Sequence, residues 1–246
     1  MKLILLRHGE SQWNLENRFT GWKDVPLTDK GKSEAAFSAN QLLNQNIKID
    51  SVYTSLLERA IETANIVTEI INFPKEKIKF DWRLNERHYG SLQGLNKSET
   101  AAKYGEDMVN KWRRSYDISP PLLDESDKRH PKFNHKFKNI DSQLPSGESL
   151  KEVIVRLKPF LENYLSFIKN MSGNHLIVAH SNSLRAIVKI LDKLNEDEII
   201  LVNIPTGVPL VYSFDSNFNV LGKEYLIDKK ELEKKQDLIK NQGKAN

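Results

Sequence analysis

KLILLRHGE (residues 2–10) opens as a run of apolar side chains and closes on an arginine, a histidine and a glycine. A short apolar run without alternation is the pattern of a strand covered on both faces. Delivering Arg7 and His8 to the end of such a strand is costly unless both meet a partner or a ligand. HLIVAH (175–180) repeats the arrangement, ending on His180. Each terminal histidine is followed by a small residue, Gly9 or Ser181, and then by polar ones. Ligands of open parallel sheets bind beyond the carboxyl ends of the strands. Two strands that end in histidine therefore place both imidazoles in one crevice if they are neighbours.

Working outward, SVYTS (51–55), IKFDW (78–82) and LVYSF (210–214) read as further strands. TDKGKSEAAFSANQLLNQ (28–45) reads as a helix capped by Thr28, with Thr28 to Gly31 serving as a helix start rather than a site. LLERAIETANIVTEII (56–71), LKEVIVRLKPFLENYLSFIKN (150–170) and SLRAIVKILDKL (183–194) have apolar residues at helical spacing, and Pro159 predicts a kink or break in the second of these. Alternation of this kind predicts an α/β fold, with a mostly parallel central sheet and helices on both faces. A single domain over 1–246 is expected. The polar, Pro-containing stretch 115–150 reads as a long insertion or lid over one face. The charged end, 229–246, reads as a frayed terminus or a mobile flap over the site. No internal repeat is visible.

The chain has 246 residues, 39% apolar and 28% charged, as a globular protein does. The absence of cysteine excludes disulfides and thiolate chemistry, and predicts a cytoplasmic home. The opening apolar run is too short for a signal peptide or a span, so no membrane partner is expected. The net charge is +4 and the pI is near 9.0, but lysines and arginines are spread among nearly as many acids. That argues against nucleic acid and leaves a small anionic substrate.

The placement of the basic residues sharpens this. Arg59 lies one turn into the helix after SVYTS, Glu86 to Tyr89 follow IKFDW, and Lys97 and Arg113-Arg114 precede the long irregular stretch. Arginines around a histidine match phosphate oxygens, and the same positive field disfavours imidazolium, leaving a neutral nucleophile. The chemistry suggested is phosphoryl transfer through a phosphohistidine.

Longer stretches carry a specific resemblance: LLRHGESQWNLENRFTGWKDVPLTDKG (5–31), RLNERHYGSLQGLNKSETAAKYG (83–105), WRRSYDISPP (112–121), LPSGESL (144–150), HLIVAHSNSLRAIVK (175–189) and NIPTGVPLVY (203–212). Together these resemble the cofactor-dependent phosphoglycerate mutases of the histidine phosphatase superfamily, from Lys2 to the tail. The resemblance implies His8 as the nucleophile, with Arg7, Arg59 and His180 holding the phosphate and Glu86 moving the proton. It implies that Ser11, Asn14, Thr20 and Gly21 line phosphate and substrate, with Ser181 and Asn182 beside His180. Tyr89, Lys97, Arg113 and Arg114 would take the carboxylate and outer phosphate. It also implies 2,3-bisphosphoglycerate as primer, no metal, phosphoglycerates as small-molecule partners, and a homo-oligomer (dimer or tetramer). One departure is Ser181, where the family usually has glycine; a need for positive φ there would strain the chain.

Plainer readings stand beside these. His8 and His180 could be structural, Glu86 could pair with Arg87, and Arg113-Arg114 could be a solvated helix face. His88, His130, His135 and His175 are assigned to structure or surface, and the four tryptophans to packing, with Trp13 and Trp22 near the pocket. A phosphatase or bisphosphoglycerate synthase of the same superfamily, and a non-catalytic anion binder, are the rival functions.

Overall fold

The structure, a computed structural model, describes residues 1–169 and 173–242. The chain runs β1 (Lys2–Arg7), α1 (Gln12–Leu15), α2 (Asp29–Asn44), β2 (Ser51–Thr54), α3 (Glu58–Ile70) and β3 (Ile78–Phe80), followed by α4 (Lys97–Tyr104) and α5 (Glu106–Arg114). After the irregular stretch come α6 (Leu150–Lys169), β4 (Asn174–Ala179), α7 (Ser181–Leu191), α8 (Glu196–Leu201), β5 (Pro209–Phe214), β6 (Val220–Tyr225) and α9 (Lys229–Asn241). The strands form one sheet in the order β3-β2-β4-β1-β5-β6. β3, β2, β4 and β1 pair in parallel, while β5 and β6 add antiparallel to the β1 edge.

The continuous apolar run of β1 has a direct cause. Leu3 and Leu5 point into one core, with Val153, Leu157 and Phe160 of α6 and Leu184 and Ile187 of α7. Ile4 and Leu6 point into the other, against Ala35, Ala39 and Leu42 of α2 and Ala64 and Val67 of α3. Side chains alternate across a strand, so burying both faces requires an apolar residue at every position.

The helices follow their capping chemistry. Thr28 accepts the Gly31 N–H at 3.0 Å and starts α2, as its place in the sequence predicts. α6 runs unbroken through Pro159. Proline removes the amide that would reach the Val155 carbonyl, but Pro159 and Val155 are both exposed, so water can supply the partner.

The stretch 115–150 is anchored rather than loose. Phe137 is buried against Trp22 and Leu57, and His130 bonds Ser146 at 3.1 Å. Residues 229–241 of the tail form α9, capped by Asp228; residues 243–246 of the predicted flap lie outside the described residues. No helix among the described residues is long and apolar enough to cross a membrane.

Candidate active site

β1 and β4 are neighbours, with Arg7 opposite Ala179, and the His8 N–H continues the ladder to the Ala179 carbonyl at 3.0 Å. His8 and His180, each one residue beyond its strand, are therefore brought side by side, their ring centroids 5.0 Å apart. Both are buried. The turn after His8 is glycine because it presses on the first turn of α2. A Cβ on Gly9 would lie 2.1 Å from the Gly31 carbonyl oxygen, and one on Gly31 would lie 2.1 Å from that of Glu10. Two facing glycines let the loop seat against the helix.

The His8 tautomer follows from its partners. Nδ1 lies 2.7 Å from the Gly9 carbonyl, which can only accept, so Nδ1 carries the proton and Nε2 the lone pair. Arg59 Nε donates to that Nε2 at 3.2 Å. Burial first, then the charges of Arg59 and Arg7, hold the His8 pKa well below its usual 6.5. The imidazole is neutral at pH 7. Arg59 is itself held by the carbonyls of Gly21 (2.9 Å) and Lys23 (3.1 Å), and Arg7 by that of Ile204 (2.9 Å). Arg7 Nε has no partner among the described residues.

His180 is steadied by Ser55, whose hydroxyl lies 2.8 Å from Nε2, while Nδ1 is left without a partner. Burial, followed by Arg59, His8 and Arg7, keeps this imidazole neutral too. Glu86 accepts the backbone N–H groups of Arg87 (2.9 Å) and Asn182 (3.0 Å) on one carboxylate oxygen. The second donor sits in the first turn of α7, where the helix dipole favours an anion. The ion pair between Glu86 and Arg87 does not form. Arg87 turns away, stacks on Tyr89 with 4.9 Å to the ring centroid, and donates to the Arg113 carbonyl at 2.6 Å.

The opposite wall comes from α4 and α5. Lys97 opens α4 after its Asn96 cap, and Arg113 and Arg114 close α5. Lys97 and Arg113 are buried, so the reading of Arg113-Arg114 as a solvated face fails for Arg113. Burial, and then Arg113, Arg7 and Arg114, push the Lys97 pKa far down; Arg114 is lowered to about 8 by burial, Arg185 and Arg113. The tail completes this wall: Arg113 donates to the Gln242 carbonyl, and Arg114 to that of Ile239 at 3.3 Å. α9 is tied down by Lys235 on Glu34 (3.1 Å) and Gln236 on the Asn203 carbonyl (3.1 Å).

One cleft gathers Arg7, His8, Asn14, Thr20, Gly21, Arg59, Glu86, Tyr89, Lys97, Arg113, Arg114, Ser181 and Asn182, each expected at the site from sequence. Two expected residues do not line it: Ser11 is fully buried, its hydroxyl spent on Asn14 Oδ1 at 2.9 Å, and His180 is fully buried behind His8. Arg18 lines the cleft without having been foreseen and Ser55 stands behind it, while Ile239 and Gln242 come from the tail expected as a flap. Arg18 lies within ENRFTGW, one of the resembling stretches, and Ser55 follows β2 at the same sheet edge, so both had a signal. For Ile239 and Gln242 the sequence pointed to the segment but not to the individual residues. The lining draws no residue from 115–150. Ser181 sits in the first turn of α7 and outside the left-handed region, so replacing glycine strains nothing. Among the described residues no group of three His, Cys, Asp or Glu side chains could hold a metal.

Among the described residues the cleft presents six basic side chains (Arg7, Arg18, Arg59, Lys97, Arg113, Arg114) against one carboxylate, Glu86. Such an α/β protein, with a neutral buried histidine among guanidiniums at its sheet edge, is built for a multiply charged, phosphate-bearing anion. Residues 3–127 and 122–221 match the histidine phosphatase superfamily (branch 1), and the chain belongs to that superfamily. It is 51% identical over 245 residues to a Treponema denticola protein named 2,3-bisphosphoglycerate-dependent phosphoglycerate mutase, covering 99% of both chains. A protein of the same name from Hydrogenobaculum sp. (strain Y04AAS1) is 48% identical over 244 residues, again with 99% of each covered. Among solved structures, mycobacterial hydrolase 1 superposes with a TM-score of 0.70 at 22% identity, over 92% of this chain and 96% of that one. The α-ribazole phosphatase of Shigella flexneri gives 0.65 at 22%, over 90% and 95%. These two likenesses speak for the fold alone.

Proposed function

We propose that the protein interconverts 3-phosphoglycerate and 2-phosphoglycerate through a phosphorylated His8, primed by 2,3-bisphosphoglycerate. The observation that carries this is the His8 Nε2 lone pair, fixed by Gly9 on the far nitrogen and facing Arg59 at 3.2 Å. In the priming step Nε2 forms a bond to phosphorus as the P–O bond to the glycerate carbon chain breaks. Glu86 gives its proton to the departing oxygen. In the return step the Glu86 carboxylate takes a proton from the attacking substrate hydroxyl, and the N–P bond breaks. Arg7 and Arg59, with His180 packed beside His8, meet the transferring oxygens, so charge developing there is stabilised without reorganisation.

The charge count agrees. A bisphosphorylated three-carbon acid carries about −4 to −5, at roughly −1.5 to −2 per phosphate plus its carboxylate. The orphaned Arg7 Nε and the uncompensated cations of the opposite wall suit such a ligand. The names carried by the relatives at 51% and 48% identity support the same reading. A mutase must keep water from the phosphohistidine, and the tail, where the carbonyls of Ile239 in α9 and of Gln242 just after it accept from Arg114 and Arg113, is our candidate for excluding it.

An enolase-coupled assay, with trace bisphosphoglycerate and EDTA present, tests the proposal. Isomerisation that needs the primer and survives chelation is expected. Net phosphate release without isomer would favour a phosphatase, and loss of activity with EDTA would contradict the route drawn here.

A further inference from the structure

Arg185 lies outside the cleft lining and outside every motif role assigned above, yet it is one of the largest fully enclosed side chains, at 1% exposure. It carries a buried charge with no ion pair among the described residues, and its Nε has no partner. Its other nitrogens reach three oxygens on three elements. NH1 donates to Asn182 Oδ1 at 3.0 Å; NH2 donates to the Ile199 carbonyl in α8 at 2.7 Å and to the Arg114 carbonyl at the end of α5 at 3.4 Å.

Those oxygens matter because of what they are joined to. Asn182 gives its backbone N–H to Glu86, and its side-chain Nδ2 to the Tyr89 hydroxyl at 3.2 Å. Oδ1 is claimed by Arg185, so the Asn182 amide can only turn Nδ2 toward Tyr89. Arg114 ends α5 and shares the cleft wall with Arg113. One guanidinium thus spans the proton-handling wall and the anion-binding wall. Burying a guanidinium costs desolvation, and here the offset comes from hydrogen bonds to these three oxygens rather than from an ion pair.

We propose that Arg185 is a positioning residue of the cleft, holding the Glu86–Asn182–Tyr89 wall in register with the Arg113–Arg114 wall. It touches no substrate atom. The inference rests on the phosphoglycerate reading of the cleft and adds a residue to it. Arg185→Met removes the charge and all three donated bonds while keeping most of the volume. Arg185→Lys keeps a charge but lacks the planar fork that serves three separate acceptors.

The test compares wild type with both variants in three measurements: affinity for 3-phosphoglycerate by calorimetry, kcat and KM in the coupled assay, and Tm without ligand. Arg185→Met is expected to bind about tenfold more weakly and to lose about tenfold in kcat, the size of effect that follows from leaving buried acceptors unpaired. Its Tm should fall by a few degrees, because the same acceptors lose their donor in the folded protein. Arg185→Lys should recover affinity more than kcat. Kinetics and affinity within twofold of wild type in Arg185→Met would overturn the inference, as would a fall in Tm with unchanged kinetics per folded molecule. If Arg185→Met does not fold, Arg185→Lys decides: reduced kcat at unchanged Tm supports the role, and wild-type kcat removes it. Failure of the phosphoglycerate reading shows instead in wild type, as an absence of 3-phosphoglycerate binding, and removes this inference with it.

Discussion

The two walls of the cleft are built differently. On one side, Arg7, His8 and His180 end central parallel strands, and their neighbours fill both hydrophobic cores. Arg59 is fastened by two backbone carbonyls and His180 by Ser55. On the other side, Lys97, Arg113 and Arg114 stand on short helices over a small cluster of Phe19, Leu92, Ala101, Val109 and Trp112. Arg113 and Arg114 rest partly on the carbonyls of the tail. The groups proposed to react are on the rigid side, where positional error is smallest, and those proposed to grip and release ligand are on the yielding side.

If that contrast is right, substitutions on the strand wall should cut kcat and those on the helical wall should raise KM. The largest effect belongs to His8→Ala, which should lose on the order of 10⁴-fold or more in isomerisation while still binding bisphosphoglycerate by calorimetry. Next comes Arg59→Met, with a loss of about 10²- to 10³-fold in kcat/KM, as for an oxyanion donor. This variant also carries a pH signature. Burial and two guanidiniums depress the His8 pKa, so protonation that would silence Nε2 occurs only well below pH 6.5. Removing Arg59 lets the pKa rise, and the acid limb of kcat/KM should move to higher pH; an unmoved limb would break the assignment.

On the helical wall, Lys97→Met should raise KM for 3-phosphoglycerate about tenfold with kcat held within a few fold. A kcat loss as deep as that of Arg59→Met would erase the distinction between the walls. The smallest effect is expected from Lys235→Ala, which frees α9 from Glu34. That ion pair is partly exposed and worth about 1 kcal/mol or less. Its loss should raise the share of phosphoryl groups released to water by a few fold, read as phosphate formed per isomerisation. No change would mean that α9 does not guard the phosphohistidine.

The same contrast explains what the sequence discloses. Two-sided burial forces unbroken apolar runs, so KLILL and HLIVA announce central strands, and the histidines that end them announce the crevice. β6 lies at an edge with Val220 to Glu224 exposed, so its VLGKEY carries neither a run nor an alternation. α9 is charged and buries no residue completely, and its position depends on Lys235 meeting Glu34, a partner far away in the chain. The lid expected of 115–150 has no counterpart in the cleft lining, because Pro- and Asp-rich sequence marks irregular backbone without saying where it packs. Ser11 shows a similar limit: its place beside the nucleophile is legible, but its capture by Asn14 is a matter of local geometry. Arg185 was hidden inside an ordinary amphipathic helix pattern.

The central claim is that the His8 Nε2 carries the phosphoryl group. Incubating the protein with phosphorus-labelled 2,3-bisphosphoglycerate, quenching in alkali and mapping the label by mass spectrometry tests it most directly. An acid-labile, alkali-stable phosphate is expected on the peptide containing His8, and none in His8→Ala. Label on another residue, or full labelling retained in His8→Ala, would contradict it.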